Sequence, residues 1–157
     1  MTANVEERLG QRLAAASATV AVAESCTGGL IAHRVTNVPG SSEYFLGGVV
    51  AYADDAKTAL LDVPPEALES NGAVSESVAR AMAEGACTRF GAAYGIGTTG
   101  IAGPGGGTPQ KPVGLVYIAV SRPGDTVVHR MLFEGNRDQI KTLSAEAALH
   151  FLEEIVG

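Results

Sequence analysis

The stretch Thr19 to Ala23, Thr-Val-Ala-Val-Ala, constrains the fold of this chain more than any other. It is short, apolar and rich in β-branched residues, the pattern of a strand covered on both faces in a parallel sheet. It runs without a spacer into Glu24-Ser25-Cys26-Thr27-Gly28-Gly29, and a helical pattern takes over from Leu30 to Val35. A strand of this kind needs helices above and below it. The polar, glycine-containing turn then falls at the strand's carboxyl end, where open α/β sheets bind their ligands.

The remaining segments extend this plan. Val5, Leu9, Leu13 and Ala16 recur at helical spacing and predict an amphipathic first helix. Gly48 to Ala53 reads as a second strand, followed by Asp54-Asp55 and a helix through Ala56, Leu60 and Leu61 that Pro64-Pro65 ends. Ser75 suits the N-cap of a helix with Val78, Met82, Ala86 and Phe90 facing inward and Gly91 as its stop. A third strand is expected at Ala93 to Thr98. Thr99 to Pro112, with five glycines and three prolines, reads as a loop that is neither helix nor regular strand. Loops this long in compact domains usually bind something or move. Val113 to Ser121 and Thr126 to Phe133 form a hairpin through Arg122-Pro123-Gly124-Asp125. Asn136 with Gln139 opens a last helix, whose residues Ile140, Leu143, Ala147, Phe151 and Ile155 share a face. This order predicts a three-layer α/β/α sandwich around a mixed, mostly parallel sheet, in one domain over 1–157.

Composition agrees with a single domain. With 157 residues, 46% of them hydrophobic, the chain can bury roughly 68–70% of its unfolded surface and needs no disulfide or metal staple. Cys26 and Cys87 are therefore read as reduced thiols. The formal charge is −6 and no basic run is present, which disfavours general nucleic-acid binding. Met1 to Glu7 is polar and acidic, unlike a signal peptide, and no apolar stretch approaches the ~20 residues of a membrane-crossing helix. The expectation is a cytoplasmic protein with no membrane or nucleic-acid partner.

Three groups of residues could carry chemistry. Ser25 stands at the strand-to-helix turn, where the amides of Thr27, Gly28 and Gly29 could stabilise an oxyanion while the hydroxyl attacks a carbonyl. A plain helix cap is the more ordinary use of a serine there. Tyr52 and Lys57 fall at the end of the second strand and one turn into the next helix, within reach of the same sheet edge. A lysine is a base only when neutral, so its ordinary pKa of about 10.4 must be lowered by burial or by positive charge. Tyr52 could relay the proton or orient the amine, though a packed tyrosine and a solvated lysine are the simpler roles. Cys26 is the rival nucleophile beside Ser25, or else a small packing residue. His33, His129 and His150 are not placed to serve Ser25, and no residue pair has metal-ligand spacing. The third group is the glycine-rich loop, whose amides and hydroxyls suit phosphate or ribose oxygens without matching a Walker loop. Lys111, Arg137 and Lys141 are the cations best placed to neutralise an anion there.

Taken together, Ala23-Glu24-Ser25-Cys26-Thr27-Gly28-Gly29, Tyr52 through Lys57, Thr99-Gly100-Ile101-Ala102-Gly103-Pro104 and Lys111-Pro112-Val113-Gly114 resemble one family. It is the CinA carboxy-terminal domain, or nicotinamide mononucleotide deamidase (PncC), family, in what looks like its stand-alone form. The resemblance implies an amidohydrolase that converts nicotinamide mononucleotide to nicotinate mononucleotide and ammonia. It places the nucleophile on Ser25, with Tyr52 and Lys57 assisting. Thr27, Gly28, Gly29, Thr99, Gly100 and Gly103 would bind substrate and Arg137 its phosphate. It further implies a homo-oligomer that uses no metal or cofactor. One departure is Lys141, where the family often has Arg, because lysine cannot clamp a phosphate bidentately. A module of the same fold that binds nucleotide without catalysis is the alternative.

Overall fold

The computed structural model describes residues 2–157. Helix α1 (Val5–Ala15) starts at Asn4, whose side chain accepts from the Glu7 amide while Glu7 reaches back to the Asn4 amide. Strand β1 (Val20–Glu24) and helix α2 (Leu30–Thr36) flank the polar turn. Strand β2 (Phe45–Val50) is followed by α3 (Asp54–Leu61), α4 (Pro65–Asn71) and α5 (Glu76–Phe90). Strand β3 (Tyr94–Gly100), the hairpin of β4 (Leu115–Arg122) and β5 (Asp125–Leu132), and α6 (Arg137–Val156) complete the chain.

The strands form one sheet in the order β2-β1-β3-β4-β5. β1 runs parallel to β2 and to β3, while β4 is antiparallel to both its neighbours, so four of the five strands point the same way. The sheet is thus mixed and mostly parallel, with helices on both faces. Alternation along β1 builds the layers. Val20 and Val22 pack with Leu9, Leu13 and Leu149 of α1 and α6, whereas Ala21 and Ala23 face Val78 and Met82 of α5. The small residues let α5 lie close on the sheet.

Several boundaries differ from the sequence expectation; the hairpin strands span Leu115–Arg122 and Asp125–Leu132 rather than Val113–Ser121 and Thr126–Phe133. β2 begins at Phe45 and stops at Val50, because pairing with β1 sets its extent and Ala53 becomes the N-cap of α3. Pro64-Pro65 does end α3, but Pro65 also opens α4, since proline's missing N–H is no loss in a first turn. Thr99 and Gly100 belong to β3 rather than to the loop, paired with Tyr117 and Val116. A Cβ at Gly100 would lie 2.7 Å from the Leu115 carbonyl oxygen, so only glycine fits this closely packed strand end.

Candidate active site

The parallel strands β1, β2 and β3 bring their carboxyl ends to one edge. Ser25 follows β1 directly, 8% exposed, and its amide donates to the Thr98 carbonyl of β3 at 3.0 Å. The turn beyond it depends on Gly28 (φ +60°) and Gly29 (φ +101°), both left-handed. The Gly28 amide donates to the Ser25 carbonyl at 3.1 Å and the Thr27 hydroxyl is turned inward against the Thr98 hydroxyl at 2.8 Å. Gly28 therefore has no amide left for a ligand. Those of Thr27 and Gly29 have no acceptor among the described residues.

No local signal in the sequence marks Glu24 as a site residue. It is fully buried, and its carboxylate accepts the amides of Ile31 at 2.9 Å and Ala32 at 3.0 Å, in the first turn of α2. The helix has glycine at its N-cap and no side-chain cap from that position. The cap comes from seven residues upstream, outside the spacing of any local capping pattern.

Lys57 lies one turn into α3 and is 1% exposed. Its Nζ donates to the Tyr52 carbonyl at 3.1 Å, and burial pushes its pKa below the ordinary lysine range, against the opposing pull of Asp54. Main chain, not phenol, holds the amine. The Tyr52 ring is 61% exposed, and its hydroxyl accepts from Arg137 Nη2 at 2.9 Å. Arg137 Nη1 donates to the Gly103 carbonyl at 2.7 Å, so one guanidinium clasps the end of β2 to the glycine-rich loop. One turn further along α6, the Lys141 Nζ would lie 3.5 Å from a Cβ at Gly28.

Cys26, 6% exposed, has its thiol pushed up to about 12, chiefly by burial, with the charge of Glu24 adding to the rise and Lys57 and Lys141 opposing it. Such a thiol stays protonated at neutral pH, which disfavours it as nucleophile. Both cysteines are free. The structure thus gathers the Ser25 turn, Tyr52, Lys57, Arg137 and Gly103 at one edge. Thr99 and Gly100 adjoin it as strand end, the Thr99 hydroxyl being spent on the Ala73 carbonyl at 2.9 Å. Lys111 instead donates to the Asn71 carbonyl, on a groove of about 550 Å³ that holds none of Ser25, Tyr52 and Lys57. The histidines are exposed, with His33 near Asn37, His129 against the Phe151 ring and His150 beside Glu146. None of them bonds to Ser25.

Fold and edge together define an α/β protein that presents a hydroxyl and a buried amine at the carboxyl ends of parallel strands. The model of the CinA C-terminal domain matches residues 2–156, and the chain belongs to that family. A Moorella thermoacetica protein whose name describes it as competence-damage inducible is 56% identical over 148 residues, covering 94% of this chain and 36% of that protein. The chain spans about a third of the length of the curated relatives it matches. Among solved structures, the competence/damage inducible protein CihA from Agrobacterium tumefaciens is 41% identical with a TM-score of 0.88, covering 97% of each chain. A CinA superfamily protein from Klebsiella pneumoniae is 32% identical with a TM-score of 0.93, covering 98% of each chain.

Proposed function

We propose that the chain is an amidohydrolase that converts nicotinamide mononucleotide to nicotinate mononucleotide and ammonia. The observation that carries this reading is the buried amine of Lys57. It is held by a main-chain carbonyl at the sheet edge that bears Ser25, and its pKa is lowered by desolvation. A lysine of that kind is neutral more often than a solvated one and can take a proton from a hydroxyl.

In the proposed reaction, Ser25 Oγ attacks the carboxamide carbon as its proton passes to Lys57. Negative charge builds on the carbonyl oxygen, where the free amides of Thr27 and Gly29 are the available donors. Collapse returns the proton to the leaving nitrogen and expels ammonia. Water then attacks the acyl-enzyme, again with Lys57 as base, and releases the acid and the serine. Arg137, exposed and bridging Tyr52 to Gly103, is the cation offered to the phosphate, with Lys141 behind it.

Ammonia release from nicotinamide mononucleotide by the purified protein tests this reading. Removing a nucleophile or its base from a unit that acts together costs roughly a thousandfold or more, so Ser25→Ala and Lys57→Ala are each expected to abolish turnover while melting near the wild type. Wild-type turnover no higher than that of Ser25→Ala would leave a nucleotide-binding module in its place.

A further inference from the structure

We propose that Glu24 tunes the turn beside Ser25 to receive a neutral carboxamide and to disfavour a carboxylate, so that substrate is held in preference to product. The inference rests on the amidohydrolase reading above.

An open helix start attracts anions, because its first amides and its dipole both offer positive charge. At α2 that place is already taken. Both oxygens of Glu24 accept first-turn amides, and the side chain is fully enclosed. The strand holds it there. Glu24 shares the face of Val20 and Val22, its register partners are Val50 and Thr98, and its carbonyl accepts the Ala51 amide at 2.9 Å. A built-in anion thus satisfies the donors that a bound anion would otherwise use.

Among the donors the turn still offers are the amides of Thr27 and Gly29, dipoles without a full charge. Those suit a carbonyl oxygen. During attack, that oxygen gains negative charge only as Lys57 gains the proton, so the pair stays balanced. A carboxylate that binds from solution brings its full charge without that proton transfer, and it faces the charge of Glu24. That charge is felt in the turn, where it adds to the effect of burial on the Cys26 thiol. Lys57 and Lys141 face the turn from α3 and α6 and oppose it, so the preference is a balance that neutralising Glu24 would tip toward the acid.

Calorimetric titration of Ser25→Ala, which cannot turn over, compares the two nucleotides directly. Nicotinamide mononucleotide is expected to bind about fivefold or more tighter than nicotinate mononucleotide, the size of effect that one partly compensated charge exerts a few ångströms away. On the same background, Glu24→Gln is expected to bring the ratio near one by strengthening acid binding, and Glu24→Asp, which keeps the charge, to preserve it. A purely structural role for Glu24 would weaken both ligands together. A ratio unmoved by Glu24→Gln therefore overturns the proposal. If Glu24→Gln does not fold, equal binding of the two nucleotides to Ser25→Ala overturns it, and amide preference in both Ser25→Ala and its Glu24→Asp derivative supports it. Binding of neither nucleotide overturns the amidohydrolase reading along with it, whereas equal binding of both leaves that reading standing.

Discussion

Lys57 can accept the Ser25 proton only after losing its own, and its folded pKa lies below the ordinary 10.5 because burial disfavours the ammonium. In the proposed reaction, activity is therefore expected to be lost as pH falls through that lowered pKa and regained as pH rises. The kcat/KM for ammonia release is expected to climb about tenfold per pH unit on its acid limb, with an inflection below 10.5. Lys57→Arg, always charged, is expected to show no such limb and no turnover. A limb centred at the ordinary lysine value would remove burial as the source of the base. Cys26 supplies a second check. With its thiol at about 12, iodoacetamide at pH 7.5 is expected to leave turnover within about twofold, and Cys26→Ala to do the same. Turnover lost in step with Cys26 alkylation would transfer the nucleophile to sulfur.

Elements with a strong local signature were legible in the sequence. Ser75 and Asn136 cap the helices they announce, and Gly91 stops α5 in the left-handed region. What escaped depends on neighbours distant along the chain. The extent of β2 follows from pairing with β1, Thr99 becomes strand because Tyr117 lies opposite, and the cap of α2 arrives from Glu24. The candidate site follows the same rule. Its residues could be named from spacing, but the turning of the Tyr52 phenol toward Arg137, 85 residues away, has no local signal. Packing between elements yields a further expectation. A Cβ at Gly97 would stand 2.6 Å from the Ala79 carbonyl oxygen of α5, backbone that cannot swing aside. Gly97→Ala is expected to destabilise by about 1–3 kcal/mol in denaturant titration, the usual cost of overpacking. Tyr44→Phe should do the reverse. The Tyr44 hydroxyl is buried without a partner among the described residues, so its removal is expected to be neutral or to stabilise by up to about 1 kcal/mol.

At the scale of the whole molecule, the layer formed by α1, α2 and α6 is tied by carboxylate-guanidinium pairs across the sequence. Glu6 accepts from Arg34 at 2.8 and 2.9 Å, Arg34 also reaches Glu146, and Glu153 accepts from Arg8 at 2.7 Å. This layer carries Arg137 and Lys141 to the candidate site on the first turns of α6, so under the proposed reaction its integrity bears on substrate binding as well as on stability. The Arg34 hydrogen bonds hold Glu6 below the usual carboxylate range, and those of Arg8 do so for Glu153. A carboxyl depressed in the folded state stabilises above its unfolded pKa and loses that contribution as pH falls through the folded one. Stability is therefore expected to hold from neutral pH down to about 4.5 and to fall below it, as the unfolded chain binds protons that the folded chain refuses. Arg34→Ala removes the guanidinium shared by Glu6 and Glu146. It is expected to cost about 1–3 kcal/mol at pH 7 and to make the decline below pH 4.5 shallower, because Glu6 then lacks the hydrogen bonds that chiefly lower its pKa. Melting temperatures of wild type and Arg34→Ala between pH 3 and 8 measure both effects. Parallel curves with the same acid slope would place the acid sensitivity elsewhere in the fold.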